Sequence, residues 1–230
     1  MDAPIAPAST ATIRTGADLI AGAAALPSAR ALTAGIVVFG LARLLVGSWS
    51  VADLVAVVVT VALAGPVEWV IHRHLFHAPS RSRRQQWLRL GRAHEAHHEE
   101  PDRLDLLALD RWGAAVLVVA GAAVAVLTYL VVATSVVTIA DVVPLGPWSI
   151  DGGVRALAGP IDGPALTAAA TAAVLLARYE TVHLMAHSRY RPRTARGRRL
   201  VAHHLRHHFR NPNRCFGVTS MMVDRAVGTA

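Results

Sequence analysis

The histidines constrain this chain more than any other feature. All twelve fall in four short stretches: HRHLFH from His72, HEAHH from His94, HLMAH from His183 and HHLRHH from His203. Ten of them repeat one pattern. His72 and His77 form a pair, and His94, His97 and His98 a triplet. His183 and His187 form a second pair, and His204, His207 and His208 a second triplet. Residues three and four apart share a face of an α-helix, so both triplets and the pair His183/His187 each present their rings to one side. His72 and His77 stand about 140° apart on an ideal helix. They can meet at one centre only where the helix ends or unwinds, and Gly65-Pro66 and Pro79 supply the breakers. His74 and His203 fall off these faces and read as bystanders.

Imidazole is a neutral ligand for iron, zinc, copper or nickel. Ten imidazoles exceed the needs of one ion and suit two, each taking four or five nitrogens. Nitrogen-rich ligation with open positions fits iron that activates dioxygen; zinc would also bind. A structural zinc site would use fewer ligands and usually cysteine, and Cys215 is the only cysteine. A metal-bound histidine usually donates its other N–H to a carboxylate or carbonyl. Glu68, Glu180 and Asp224 are the candidate carboxylates. Glu68 lies one turn before His72, Glu180 shares the face of His183, and Asp224 follows the last triplet.

The rest of the chain reads as a membrane protein. Hydrophobic residues make up 53% of it, which is high for a soluble domain. Apolar runs are expected as spans at 31–46, 51–71, 112–139 and 165–185, with Arg43 near enough to the end of the first to snorkel. Residues 1–30 are expected as a mobile tail with one short interfacial helix near 12–26, and residues 31–230 as the membrane-embedded domain. No signal peptide is expected, because the start lacks a basic region. The net charge of +8 comes entirely from arginine on the basic side. The arginines crowd 73–111 and the C-terminal segment, whereas 141–164 has one. This bias favours membrane orientation and anionic headgroups over nucleic acid. The positive-inside rule then puts both termini and all four histidine stretches on the cytoplasmic face. The expected fold class is all-α: an integral membrane protein with four transmembrane helices and a cytoplasmic helical cap holding a dimetal centre. The all-arginine usage and the alanine and valine excess point to a GC-rich bacterial gene, hence to a bacterial inner membrane.

The four groups, in this order and spacing, resemble the fatty acid hydroxylase superfamily, which includes sterol desaturases, sterol methyl oxidases, fatty acid 2-hydroxylases and carotenoid ring hydroxylases. The resemblance is carried by EWVIHRHLFH (Glu68 to His77), HEAHHEEPDRLDLLALD (His94 to Asp110), YETVHLMAH (Tyr179 to His187) and HHLRHHFRNPNRCFGVTSMMVDRAVGT (His203 to Thr229). The last stretch, with its Asn-Pro turn and FGVTS, is similar to the fatty acid 2-hydroxylase branch. The carotenoid enzymes usually carry a wider third pair. The resemblance implies that the ten patterned histidines bind two irons and that the chain hydroxylates a C–H bond of a fatty-acyl lipid with O2. It also implies a separate ferredoxin- or cytochrome-type donor with its reductase, since the fused haem domain of many eukaryotic members has no counterpart here. A carotenoid ring hydroxylase or a lipid or sterol desaturase would use the same centre. A histidine-rich metal transporter fits less well, because transport sites lie near the bilayer midplane and these histidines lie at span ends. A zinc-stabilised scaffold would not need ten ligands.

Overall fold

A computed structural model describes residues 9–77, 90–107, 111–142 and 162–230. The Pro- and Gly-rich segment expected between the third and fourth spans lies almost wholly outside these, as do Pro79 and most of the arginine run at 81–92. The described residues are helical throughout, apart from turns and one isolated bridge between Ser9 and Arg103. In chain order the helices are α1 (Gly16–Ala25), α2 (Ala29–Val46), α3 (Val51–Ile71), α4 (Leu90–Glu99), α5 (Leu104–Leu107), α6 (Arg111–Val142), α7 (Asp162–His187), α8 (Ala195–Phe209) and α9 (Met222–Ala226). A π-helical turn, His72–Phe76, continues α3.

Among the described residues, three helices are long and apolar enough to cross a membrane, at Ala29–Val46, Val51–Phe76 and Gly113–Val131. These match the first three expected spans. Helix α7 covers the fourth, 165–185, but is not among them. Its second half carries Arg178, Glu180, His183 and His187.

The chain divides into two compact units. The first comprises Leu32–Ala64 and Val116–Leu175. Its core is made of small residues around one ring: Ala52, Ala56, Ala125 and Ala168 with Tyr129. Without large side chains between them, helix backbones approach closely. A Cβ on Gly35 would meet Val118 Cγ1 at 2.8 Å. Arg43 does not snorkel as its position suggested. It is buried, and its Nε donates to Asp53 Oδ1 at 2.8 Å and to Thr167 Oγ1 at 2.9 Å. Its Nη2 reaches the Ser48 carbonyl at 2.6 Å, and its guanidinium lies 3.7 Å from the Trp49 ring centroid. A buried charge needs such pairing, and here an acid one turn into α3 supplies it.

The second unit comprises Met1–Ala31, Gly65–Ala115 and Leu176–Ala230, and it holds all twelve histidines. Residues 9–26, expected as a mobile tail with one short helix, are docked here. Thr15 and Asp18 form a capping box that starts α1. Ile13 and Leu26 are buried against Leu104, Leu107 and Leu184. Thr10 is fully buried; its hydroxyl donates to the His187 carbonyl at 2.7 Å and its N–H to the Asp102 carbonyl at 2.9 Å. The N-terminal segment therefore ties the end of α7 to the turn after α4.

Candidate metal centre

The spacing problem at His72 and His77 is solved by the π turn. The His77 N–H donates to the His72 carbonyl at 3.2 Å, an i→i+5 bond. That winding brings residues five apart over one another, where an α-helix would splay them. The imidazole centroids of the pair lie 5.1 Å apart.

The ten patterned histidines gather into two groups of five. One is His72, His77, His94, His98 and His207; the other is His97, His183, His187, His204 and His208. Within each, one nitrogen per residue lies within 4.8 Å of all the others. Chain order would have kept each triplet whole. Instead both triplets split. On α4, the i,i+4 pair His94/His98 joins the first pair while His97 crosses to the other group. On α8, His204/His208 joins the second pair while His207 crosses back. The groups abut, with the His98 and His208 rings stacked at 3.9 Å. His74 and His203 belong to neither.

In the first group the contacts run Nε2 to Nε2: His72 to His94 at 3.1 Å, His94 to His77 at 3.1 Å, His98 to His94 at 3.1 Å and His77 to His207 at 3.0 Å. In the second, His187 Nε2 lies 3.2 Å from that of His97 and 2.9 Å from that of His204. Hydrogen bonding cannot explain this convergence. The Nδ1 of His72 meets the Phe216 carbonyl at 2.5 Å, and that of His207 meets the Arg214 carbonyl at 2.7 Å. A carbonyl only accepts, so each Nδ1 carries the proton and each Nε2 presents a bare lone pair. His94 Nε2 faces three neighbours with at most one proton. Both nitrogens of His183 and of His208 are buried without a hydrogen-bond partner among the described residues, and such orphans cost about 1–3 kcal/mol each.

A cation held at such a convergence would remove the conflict. Metal–imidazole bonds of about 2.1 Å place ligands at right angles about 3.0 Å apart, whereas a tetrahedron would need about 3.4 Å. The shortest spacings, 2.9–3.2 Å, are close enough for imidazoles of one group to share an ion. The imidazoles are also prepared in charge. Burial pushes His77 and His98 down to about 4, and His97 and His207 down to about 3, with neighbouring imidazoles adding to the effect at His98, His97 and His207. Burial lowers His94 and His204 well below the ordinary value too. They are neutral ligands at pH 7, with few protons to displace.

Of the three expected carboxylates, Glu68 and Asp224 bind groups other than the patterned histidines. Carbonyls, not carboxylates, hold His72 and His207. Both carbonyls belong to the loop between α8 and α9, and two of the carboxylates fasten that loop. Glu68 accepts from the Thr219 N–H at 2.8 Å, from the Thr219 hydroxyl and from the Val218 N–H. Asp224, fully buried, accepts from Phe216 N–H, Gly217 N–H, the Trp69 indole, the Thr229 hydroxyl and His203 Nε2. Burial alone would raise the Asp224 carboxyl, but bonds from His203, Thr229, Gly217 and Trp69 outweigh it and hold it well below the usual range. Glu180 is buried on α7, three residues before His183. His203 is thus no surface bystander: it is buried beside the centre as a donor to Asp224 at 3.0 Å. Sequence reasoning missed it because it looked only for ligand faces. The carbonyls of Arg214 and Phe216 carry no signature at all, since every residue has one. Cys215, between them, holds a left-handed backbone (φ 59°), and the carbonyls on either side of it serve two histidines of the same group.

No curated protein and no solved structure matches the chain. A family model does, that of the fatty acid hydroxylases, over residues 57–229. That stretch contains every patterned histidine, the π turn and the loop that holds their outer nitrogens. Together these features say that the chain belongs to the fatty acid hydroxylase family, and so to a family of metal-binding membrane oxidoreductases.

Proposed function

We propose that the protein is a di-iron monooxygenase that hydroxylates an unactivated C–H bond on a fatty-acyl lipid. The overall reaction is RH + O2 + 2 e⁻ + 2 H⁺ → ROH + H2O. The observation that carries this reading is the pair of crossed five-imidazole groups with their nitrogens converging, in a chain with apolar spans. His72, His77, His94, His98 and His207 would hold one ion, and His97, His183, His187, His204 and His208 the other. Iron bound there supplies the redox chemistry that lets O2 react with a C–H bond.

The chain's own contributions are positional. The carbonyls of Phe216 and Arg214 fix the tautomers of His72 and His207, so that their Nε2 atoms face inward. Burial keeps the ligands neutral and bulk water away. Glu68 and Asp224 hold the carbonyl-bearing loop in register. In this reading α7 is the fourth span, the arginine-rich segments face the cytoplasm, and a ferredoxin or cytochrome with its reductase supplies electrons there.

The test is metal analysis of the purified protein together with O2 consumption and lipid mass spectrometry under isotopically labelled O2. Two irons per chain and one labelled oxygen gained by an acyl lipid are expected. Turnover by protein containing zinc alone would refute the mechanism, and loss of two hydrogens without oxygen gain would make it a desaturase.

A further inference from the structure

A second site lies in the histidine-bearing unit, apart from both imidazole groups. Helices α8 and α9 flank a cavity of about 610 Å3. Three arginines line it, Arg196 and Arg199 from α8 and Arg225 from α9, and Leu200, Met221 and Met222 supply apolar wall. Thr219 and Ser220 complete the lining. The three guanidiniums are exposed, and none makes a hydrogen bond or ion pair with a described residue. Their neighbour Arg198 does bond, to the carbonyls of Pro192 and Arg193.

Their placement is electrostatically costly without a ligand. Arg196 and Arg199 lie in the opening turns of α8, which has no acidic residue in its first turn. The N-terminal end of a helix dipole repels cations and attracts anions. These two guanidiniums, with Arg225 on α9 lining the same cavity, make a concentrated positive field, and guanidinium is suited to bidentate capture of phosphate or carboxylate. The cavity is not a purely polar one, because Met221, Met222 and Leu200 give it a greasy side. Two links join it to the centre. Thr219 is the residue held by Glu68, one turn before His72. Leu200 lies one turn before His204 on α8. Ser220 also packs on Gly65 of the apolar helix α3, where an added Cβ would meet it at 3.3 Å.

We infer that this cavity binds the anionic head, phosphate or carboxylate, of an amphiphilic lipid. Resting on the hydroxylase reading, it makes the substrate an anionic acyl lipid, not a carotenoid or sterol. Arg196, Arg199 and Arg225 hold the charge, the Ser220 hydroxyl donates to it, and the methionines cover the first carbons of the chain.

The experiment measures binding, not turnover, so it stands or falls separately from the hydroxylase reading. The full-length protein in phosphatidylcholine nanodiscs is titrated with decyl phosphate, decanoate, decanol and inorganic phosphate. The triple variant Arg196→Gln/Arg199→Gln/Arg225→Gln is compared with Arg191→Gln/Arg193→Gln/Arg210→Gln, which removes the same charge outside the cavity. Decyl phosphate or decanoate should bind the wild type and the control alike, and the cavity variant about tenfold or more weakly. Equal weakening in both variants would reduce the effect to general surface charge and overturn the site. Inorganic phosphate binding as tightly as decyl phosphate would overturn the lipid assignment in favour of a free anion, and decanol binding as tightly would overturn the role of charge. Unchanged metal content in the cavity variant verifies that it is folded. A failed titration with an active, iron-loaded enzyme would sink the head-group site alone.

Discussion

Replacing Asp224 with asparagine isolates what the carbonyl loop contributes. The carboxylate is fully buried and accepts five bonds: Gly217 N at 2.8 Å, Phe216 N, Trp69 Nε1 and His203 Nε2 at 3.0 Å each, and Thr229 Oγ1 at 2.6 Å. Asparagine keeps the shape but offers one acceptor oxygen and one NH2. If the oxygen takes the place of Oδ1, the NH2 meets the Gly217 N–H, a donor against a donor. His203 can escape by changing tautomer; a backbone amide cannot. If the amide is flipped, the NH2 confronts the indole and the Phe216 N–H instead. Loss of charge assistance on the surviving bonds, at about 1 kcal/mol each for three of them, plus about 1–3 kcal/mol for the stranded amide, gives a total of about 4–6 kcal/mol. For a chain this size that corresponds to a fall in Tm of roughly 10–20 °C. Thermal unfolding by circular dichroism in detergent would read it, with Asp105→Asn as control, an exposed acid paired to Arg103 that should move Tm by no more than a degree or two. Metal content gives a sharper readout. The loop orients His72 and His207, both members of one group, so stoichiometry should fall from two ions towards one before it falls to none. A variant that keeps its Tm within a few degrees and holds both ions would refute the proposed role of the loop.

The crossed grouping makes its own prediction. His97→Ala, on α4, should empty the group built on α7 and α8, and His207→Ala the opposite one. In each case the loss of metal affinity should be about 100-fold or more and turnover should stop, while His74→Ala leaves both metal and activity in place. Metal analysis of the three proteins decides it. Acid should destabilise the metal-free protein. His97 is held near 3 in the folded state against an ordinary 6.5, so the unfolded chain binds more protons between those values. Stability is full above pH 6.5 and falls as pH drops through that window, by about 2 kcal/mol from His97 alone at pH 5; Tm measured from pH 8 to 5 should decline accordingly, and a flat profile would contradict the buried, neutral state. In the other unit, Arg43→Met or Asp53→Leu alone should cost about 3–5 kcal/mol by stranding a buried charge, whereas the double substitution should be close to neutral. Equal losses in the single and double variants, by thermal unfolding, would show that the ion pair is not what those helices depend on.

The parts of this molecule that were legible from sequence are those in which side-chain spacing dictates geometry. The i,i+3 and i,i+4 patterns of His94 to His98 and His204 to His208 announced their faces, and long apolar runs announced α2, α3 and α6. The five-residue gap at His72 stated that a helix must unwind there, without saying how. What could not be read is the way the triplets divide, because that depends on which side of α4 faces α8, a tertiary fact. The docking of Thr10, Ile13 and Leu26 was hidden for a similar reason: an Ala- and Thr-rich segment looks like a tail until its few large side chains meet Leu104 and Leu184. Arg43 looked like a snorkelling residue because its partner, Asp53, sits across a turn whose Gly47 has φ 74°, a conformation that sequence spacing does not disclose.

The exchange of His97 and His207 between groups also sets a timetable for biosynthesis. A nascent chain that has delivered α3 and α4 to the membrane carries four imidazoles of one group but lacks the fifth, which arrives only with residue 207. The other group waits on α8 as well. Neither ligand set is therefore complete ahead of the other, and a chain truncated before α8 would present two unfinished sets of imidazoles, not one finished set. Completion of both sets is then a late and simultaneous event, reached when α8 joins the rest of the polypeptide.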